Sequence, residues 1–225
     1  MHPGWAPLLA VGLLTNVLLT ACTATVAGTG RFSTTTASPP TASSTPSPTP
    51  SPTPEVYDQG RPALSCRGGT IIAPAGAPYC YRLPAGFRDV SKQVRLGAGI
   101  GNAKYLSAVG LAGRDLIVVL VYRPPSNTDL LPNAKIGQDL QAILTSLTRS
   151  GFVFATRTPT VGQVDRARAF TYHAVSKDRT FQSDLTFAFR GLSEVEVLCQ
   201  YSDRKDAVQH ACREVQATMQ IRTVR

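Results

Sequence analysis

Histidines, which could act as general bases, are rare in this chain. It has three in 225 residues, and His2 lies in the first few residues, so that only His173 and His210 remain further along. No G-x-S-x-G motif accompanies them, and the sequence therefore offers no recognisable nucleophile. His173 falls in a predicted strand and His210 in a predicted helix. We expect both to be structural or solvent-facing, and we assign no catalytic residue.

Carboxylates and glycines also lack a pattern that would bind a metal or a cofactor. Glu194 and Glu196 share one face of a predicted strand, where they could bind a cation but are expected to be exposed. Asp115 and Asp129 stand alone in predicted loops. The run Gly97–Gly101 lacks the strand–helix setting of a dinucleotide-binding loop, and a hairpin loop is the better interpretation. The sequence thus predicts no metal site and no cofactor.

The five cysteines have the clearest chemistry in the chain. Setting Cys22 aside leaves four, which allow three disulfide connectivities. We favour the local pairs Cys66–Cys80 and Cys199–Cys212. A helix that starts just after the last long strand and folds back over the sheet carries Cys212 towards Cys199, at about 1.5 Å per residue. Buried free thiols or a metal site are the alternatives, and the absence of any C-x-x-C spacing argues against zinc.

Cys22 is set aside because of the residues that precede it. The apolar segment Ala6–Leu19 has the length of the apolar core of a secretory signal peptide and is too short to span a membrane comfortably. Leu19-Thr20-Ala21-Cys22 resembles a bacterial lipobox. That resemblance implies attachment of diacylglycerol to Cys22, cleavage before it and acylation of the new amino terminus. An ordinary signal peptide with a chance cysteine is the alternative, and no Lys or Arg precedes the apolar core.

Composition divides the chain into three parts. Residues 1–21 are the predicted signal peptide, which is cleaved. Residues 22–64 begin with the lipidated cysteine, are rich in Ser, Thr and Pro, and are predicted to form a disordered tether. Residues 65–225 are long enough for a single folded domain with its own core. The tether composition also suits O-glycosylation, with an unmodified spacer as the alternative.

The net charge of +9 comes from scattered residues rather than from a basic run. Scattered charge keeps a surface soluble and could attract anionic lipid or acidic envelope polymer, but it identifies no partner. Nucleic-acid binding needs a basic stripe with stacking aromatic residues. The predicted export signal argues against it further, and we expect no nucleic-acid partner.

Apolar residues predict a series of strands in the domain. Leu116–Tyr122 is apolar on both faces and should be covered on both sides. Three long segments joined by short turns predict an antiparallel meander: Ala167–Val175, Phe181–Arg190 and Glu194–Tyr201. Shorter strands are predicted within Tyr81–Phe87, Val90–Leu96, Tyr105–Val109 and Phe152–Ala155, with an interruption at Thr158–Gly162.

Two segments have the apolar stripe of an amphipathic helix. The first is Asn133–Ser150, with Thr128 or Asn133 as its cap. The second follows Ser202 or Asp203, either of which could cap it. The predicted fold class is therefore α+β, an antiparallel sheet flanked by two main helices.

The order of these elements resembles a known family. A lipobox, a Thr/Pro tether, strands, a helix after Pro132, an antiparallel meander and a terminal helix are similar to the LpqN-type small secreted lipoproteins of mycobacteria and other actinobacteria, whose domains have a PsbP-like fold. The segment Tyr81–Phe87 resembles the apolar–Pro–x–Gly–aromatic opening of such domains, and the likeness covers residues of about 80–221. It implies an antiparallel sheet flanked by helices and a binding or accessory role, and it transfers no functional residue.

These observations predict a lipoprotein on the extracytoplasmic face of the cell membrane, held there by its N-terminal lipid. Its expected role is a non-catalytic accessory or protein-binding module of the cell envelope. Two alternatives stay open. One is a carrier for a lipid or a hydrophobic small ligand in a cavity between sheet and helix, suggested by the Phe-rich strand at residues 181–189. The other is an envelope hydrolase, which would need a nucleophile beside His173 or His210.

Overall fold

The computed structural model describes residues 64–96 and 103–223, together with the short strand Thr25–Val26. Its helices are α1 (Asn133–Arg149) and α2 (Lys205–Thr218), and a single turn of 3-10 helix spans Thr128–Leu130. The strands in chain order are β1 (Thr25–Val26), β2 (Ile71–Ile72), β3 (Tyr79–Arg82), β4 (Arg88–Asp89), β5 (Arg95–Leu96), β6 (Tyr105–Gly110), β7 (Leu116–Tyr122), β8 (Phe152–Phe154), β9 (Thr160–Val164), β10 (Ala167–Ser176), β11 (Gln182–Arg190), β12 (Ser193–Tyr201) and β13 (Gln220–Ile221).

One large antiparallel sheet organises the domain. It has eight strands among the described residues: seven follow the order β4-β6-β7-β12-β11-β10-β8, and the eighth, β9, pairs with β10 beyond the end of β8. The strands β10, β11 and β12 form the predicted meander, with an antiparallel register along their length. A second sheet joins β2 and β13 to the two sides of β3, and β1 pairs in parallel with β5. The α+β class, with its antiparallel sheet and two main helices, is confirmed.

Each face of the large sheet carries its own apolar core. On one face, α1 packs over Leu116, Val118 and Leu120 of β7. On the other, α2 and β3 pack over alternate residues of the same strand. All seven residues of β7 are buried, as its two apolar faces predict. Among the described residues, every buried member of the two cores lies between Ile72 and Ile221.

The predicted side-chain caps of both helices are wrong. The residue before α1 is Pro132 and the one before α2 is Arg204, and neither makes a side-chain capping bond. The side chains predicted to cap the helices bond to residues that are distant in the chain instead. The side-chain oxygen of Asn133 accepts a hydrogen bond from Arg168 at 3.0 Å, and the Ser202 hydroxyl donates to the Asp115 carboxylate at 3.4 Å.

Two strand predictions also need correction. The segment Val90–Leu96 is not one strand, because the Asp89 carboxylate accepts from the Ser91 backbone N–H at 2.9 Å and turns the chain after β4. Most of the predicted interruption at Thr158–Gly162 belongs to β9, which pairs with β10. The interruption lies just before it. The run Gly97–Gly101 lies outside the described residues.

Two tyrosines of β3 share one serine in the core that faces α2. The Tyr79 hydroxyl donates to Ser107 Oγ at 2.8 Å, and the Tyr81 hydroxyl lies 2.9 Å from the same atom. Burial raises the pKa of Tyr79 and of Tyr81 above the usual range, so both phenols remain protonated. Ser107 therefore satisfies two buried phenols at the point where β3 crosses β6.

Replacing Ser107 with alanine should lower the free energy of unfolding by about 2 kcal/mol, because it leaves buried phenol groups without a partner. Urea denaturation of the natural and variant chains would measure the loss. Adding Tyr81→Phe to the Ser107→Ala chain should recover part of it, since one unsatisfied hydroxyl is then removed. A Ser107→Ala chain as stable as the natural one would contradict this account.

Candidate functional site

The predicted cysteine pairs are both present. Cys66 bonds to Cys80 with their Cα atoms 6.0 Å apart, and Cys199 bonds to Cys212 at 6.1 Å. The second bond joins β12 to α2, because the helix returns over the sheet with Cys212 on its buried side. Cys22 lies outside the described residues, and its lipidation remains a prediction.

The best-defined polar cluster of the domain forms around His173. This residue on β10 lies opposite Asp184 on β11 in the antiparallel register. His173 Nδ1 is 2.8 Å from Asp184 Oδ1, and the imidazole is partly exposed. The acid is eleven positions away in sequence, and only the strand register brings it to the histidine.

Tyr201 and Gln209 complete this cluster. The Gln209 amide donates to Asp184 Oδ2 at 3.1 Å and to the Tyr201 hydroxyl at 3.3 Å. Burial, and then the charge of Asp184, raise the pKa of Tyr201 to about 12. Tyr201 is therefore a neutral phenol at physiological pH. Gln209 comes from α2, so the helix ties the Asp184 carboxylate to the end of β12.

Chemically, the cluster resembles the base-orienting half of a catalytic triad. An aspartate beside one ring nitrogen fixes the orientation of an imidazole. The side chains that contact the imidazole are those of Asp184 and Tyr201, both at Nδ1. Within the described part of the chain, no Ser, Thr or Cys side chain is hydrogen-bonded to it. His210 is exposed on α2. The nucleophile that a hydrolase would need is not brought to either histidine by the described residues.

The prediction that Glu194 and Glu196 are exposed is wrong. They are only 6% and 2% exposed, because β12 lies between β7 and β11 and its polar face is covered as well. Leu120 and Phe187 flank Glu196 on the two neighbouring strands. Two apolar neighbouring strands are the signal that could have revealed this burial from the sequence.

The burial of Glu196 changes its protonation. Desolvation, and then the charge of Glu194, raise the pKa of Glu196 to about 8, against a hydrogen bond from Tyr122 that lowers it. One of its carboxyl oxygens, Oε2, finds no hydrogen-bond partner among the residues that the structure describes. Glu196 is therefore largely protonated at neutral pH, unlike a carboxylate that binds a cation.

No group of three or more His, Cys, Asp or Glu in residues 64–96 and 103–223 is placed to hold a metal ion. No helix within these ranges has the length and apolar content needed to cross a bilayer. The loop aspartate Asp115 is buried and accepts from Ser202, whereas Asp129 is exposed in the 3-10 turn.

A pocket of about 230 Å³ opens at one end of the large sheet. It lies between the segment Val90–Val94 and the turn that joins β6 to β7, with Arg88 at its side. The space between the sheet and α1 is filled by buried side chains such as Phe187 and Leu144. In the described residues, the space between the sheet and α1 is therefore packed, and this pocket lies apart from it, beside a strand turn.

The chain is similar to solved structures but matches no known sequence family. No protein-family model matches the chain, and no curated protein sequence matches it. The structure is similar to the solution structure of cyanobacterial PsbP (CyanoP) from Synechocystis sp. PCC 6803, with 13% identity, a TM-score of 0.48 and coverage of 70% of this chain and 98% of that one. It is also similar to a crystal structure of a Bacteroides thetaiotaomicron VPI-5482 protein, with 13% identity, a TM-score of 0.44 and coverage of 69% of this chain and 49% of that one. Both TM-scores are too low to assign a fold family or a function.

Proposed function

We propose that this chain is an exported lipoprotein, anchored through Cys22 to the extracytoplasmic face of the cell membrane, and that its domain is a non-catalytic accessory or protein-binding module of the cell envelope. The observation that carries the proposal is the pairing of all four domain cysteines. It leaves Cys22 as the odd thiol of the chain, directly after the lipobox-like residues.

The disulfides support the export part of the proposal. Structural disulfides persist in oxidising compartments outside the cytoplasm and are rare inside it. Both bonds close short loops within the folded domain, with sequence separations of 14 and 13 residues. Such bonds and an apolar N-terminal segment are typical of a secreted protein. The Pro-rich residues 22–64 would then be the tether between the lipid and the domain.

The binding role rests on how the polar groups of the domain are used. His173 has an orienting acid but no hydrogen-bonded nucleophile among the described residues, and Glu196 is buried. We also propose that the domain belongs with the PsbP-like domains of LpqN-type actinobacterial lipoproteins. That proposal rests on the order of its elements and on the opening Tyr81–Phe87.

Replacing Cys22 with serine should move the protein from the membrane fraction to the soluble fraction, because a serine cannot carry the thioether-linked lipid. Fractionation of cells that express the full chain, together with metabolic labelling by an azido fatty acid, would measure anchoring and acylation separately. Thr23→Ser is the matched control and should remain in the membrane fraction with its label. A Cys22→Ser chain that stays bound to membranes and keeps the label would refute the anchor.

A further inference from the structure

We propose that the domain rests directly on the anionic phospholipid surface of the membrane, through the sheet edge formed by β4, the segment Val90–Val94 and β5. The proposal rests on the lipidation of Cys22 proposed above, and it concerns where the domain lies relative to the bilayer. A tether of about 40 extended residues could hold the domain roughly 120 Å from the lipid. The pairing of β1 with β5 makes the connection much shorter.

The short strand β1 joins the N-terminal segment to the domain only three residues after Cys22. Thr25 pairs with Arg95 and Val26 with Leu96 in a parallel register. Paired strands lie about 4.8 Å apart, and three residues extend at most about 10 Å. The Cα atom of Cys22 therefore lies within about 15 Å of β5, whatever path the chain takes after Val26.

The residues just before β5 hold it against the domain. Val94 packs against the apolar core that faces α1, and its N–H donates to the Val90 carbonyl at 3.3 Å. The Val90 N–H in turn donates to the Ala108 carbonyl on β6 at 2.8 Å. β5 begins at the next residue, Arg95. A lipid on Cys22 would therefore be connected to the large sheet through β1 and β5, and the length of residues 22–64 would not set the distance between lipid and domain.

The residues from Arg88 to Leu96 carry the charge expected of a surface that faces anionic lipid. Three are basic, Arg88, Lys92 and Arg95, and one is acidic, Asp89, so the net charge is +2 with Asp89 counted in full. Arg88 and Lys92 are exposed, and neither forms an ion pair within the described residues. Anionic lipid attracts such residues when they lie within about one Debye length of it, roughly 8 Å at physiological salt.

This basic edge lies at one end of the large sheet, and β8 lies at the other end. Six strand intervals separate β4 from β8 in the order of the sheet. At about 4.8 Å for each interval, the two edges are roughly 30 Å apart. A domain that rests on its β4 edge therefore holds β8 away from the bilayer, whereas a domain on a long tether presents both edges to it alike.

The test measures how close each edge comes to the lipid headgroups. The lipidated full chain, deuterated, is placed in nanodiscs of equal parts phosphatidylcholine and phosphatidylglycerol, with a trace of lipid that carries a gadolinium chelate on its headgroup. Paramagnetic broadening of the backbone amide signals is recorded by NMR and falls steeply with distance from the chelate. The amides of Asp89–Val94 should broaden at least about tenfold more than those of Phe152–Phe154, because about six strand spacings separate the two edges.

A variant of β1 tests whether the strand pairing causes this difference. Thr25→Pro together with Val26→Pro removes both backbone N–H groups of β1 and should remove most of the difference between the edges. Thr41→Pro together with Thr45→Pro, within the Pro-rich residues, is the matched control and should preserve it. Metabolic labelling with an azido fatty acid verifies that each chain carries its lipid.

A second pair of variants tests the charge of the edge. Arg88→Gln together with Lys92→Gln should weaken the broadening at the β4 edge, because two of its three basic residues are lost. Arg149→Gln together with Lys177→Gln removes the same charge from exposed positions near β8 and should leave the broadening unchanged.

The proposal is overturned if the two edges broaden equally in the lipidated natural chain, if the β1 variant keeps the full difference, or if the variant near β8 weakens the broadening as much as the variant of the β4 edge. Its failure is distinguishable from failure of the anchor. A natural chain without the azido label refutes the anchor and this proposal with it. A labelled chain whose edges broaden equally has the lipid but refutes the docked domain.

Discussion

Replacing Glu196 with glutamine should flatten the pH dependence of the domain's stability between pH 4.5 and about 8 and should make the domain more stable at the upper end of this range. The folded-state pKa of Glu196 is about 8, against an ordinary value of 4.5. The folded state therefore binds a proton that the unfolded state releases, and stability falls as pH rises through this window. Well below pH 4.5 the carboxyl is protonated in both states, and Glu196 then contributes no pH dependence to the stability.

The size of this effect follows from the burial of Glu196. A pKa raised by several units corresponds to a few kcal/mol at the upper end of the range, since one unit is worth about 1.4 kcal/mol. Glutamine keeps the acceptor for Tyr122 and carries no charge, so it removes the titration while keeping the shape of the side chain. Its amide must still be accommodated beside apolar neighbours, and for this reason the slope against pH is the measured quantity rather than stability at one pH.

Urea denaturation at pH 5 and at pH 8 would measure this slope in the natural chain and in the variant. Glu194→Gln provides a graded comparison and should flatten the slope in part, because the charge of Glu194 is the second cause of the raised pKa. Equal slopes in the natural and Glu196→Gln chains would show that Glu196 is not the buried acid described here.

Removing the Cys199–Cys212 disulfide by a double replacement with alanine should lower the free energy of unfolding by about 3 kcal/mol. The bond closes a loop with a sequence separation of 13 residues, and a loop of this size restricts the unfolded chain by about that amount in the loop-entropy model. Both cysteines are also buried where α2 meets β12. Their loss therefore weakens the contact between helix and sheet as well.

The Cys66–Cys80 pair gives a matched control for this second prediction. Its loop has a similar separation of 14 residues, so its removal should cost a similar amount from loop entropy alone. Cys80 is buried as well, so any excess loss in the Cys199→Ala, Cys212→Ala chain measures how much more the contact of α2 with the sheet contributes than the packing around Cys80. Thermal unfolding without reductant would compare the two double variants. An unchanged melting temperature for the Cys199→Ala, Cys212→Ala chain would contradict the prediction.

The local sequence was sufficient to predict the helices and strands whose apolar residues form a continuous buried pattern. The stripe Ile136, Leu140, Ile143, Leu144 and Leu147 predicts α1 to within a residue of its end, and all five residues are buried. The same holds for β7, whose seven apolar residues need cover on both faces. Helix caps failed because a cap forms only if no tertiary partner competes for the same side chain, and Arg168 competes for Asn133.

The candidate sites were largely beyond local signals. Nothing in the sequence around His173 points to Asp184, since the two meet only through the register of β10 and β11. The pocket depends on a row of residues from three strands, and Gly110 alone looks like an ordinary strand end. Such sites are formed by neighbouring residues on adjacent strands, and these neighbours cannot be identified until the register of the strands is known.

The sequence by itself determined the α+β class, the two main helices and the meander, because these depend on apolar periodicity, which is local. The sequence favoured the cysteine pairing that the structure shows, since a helix that folds back over the preceding strand brings Cys212 towards Cys199, but it left the other connectivities open. Only the tertiary structure decided that Glu194 and Glu196 are buried and that a pocket opens beside Gly110. Burial depends on which strands flank β12, and the pocket depends on how the segment Val90–Val94 lies against the turn that joins β6 to β7. Both are properties of contacts between segments that are distant in the chain.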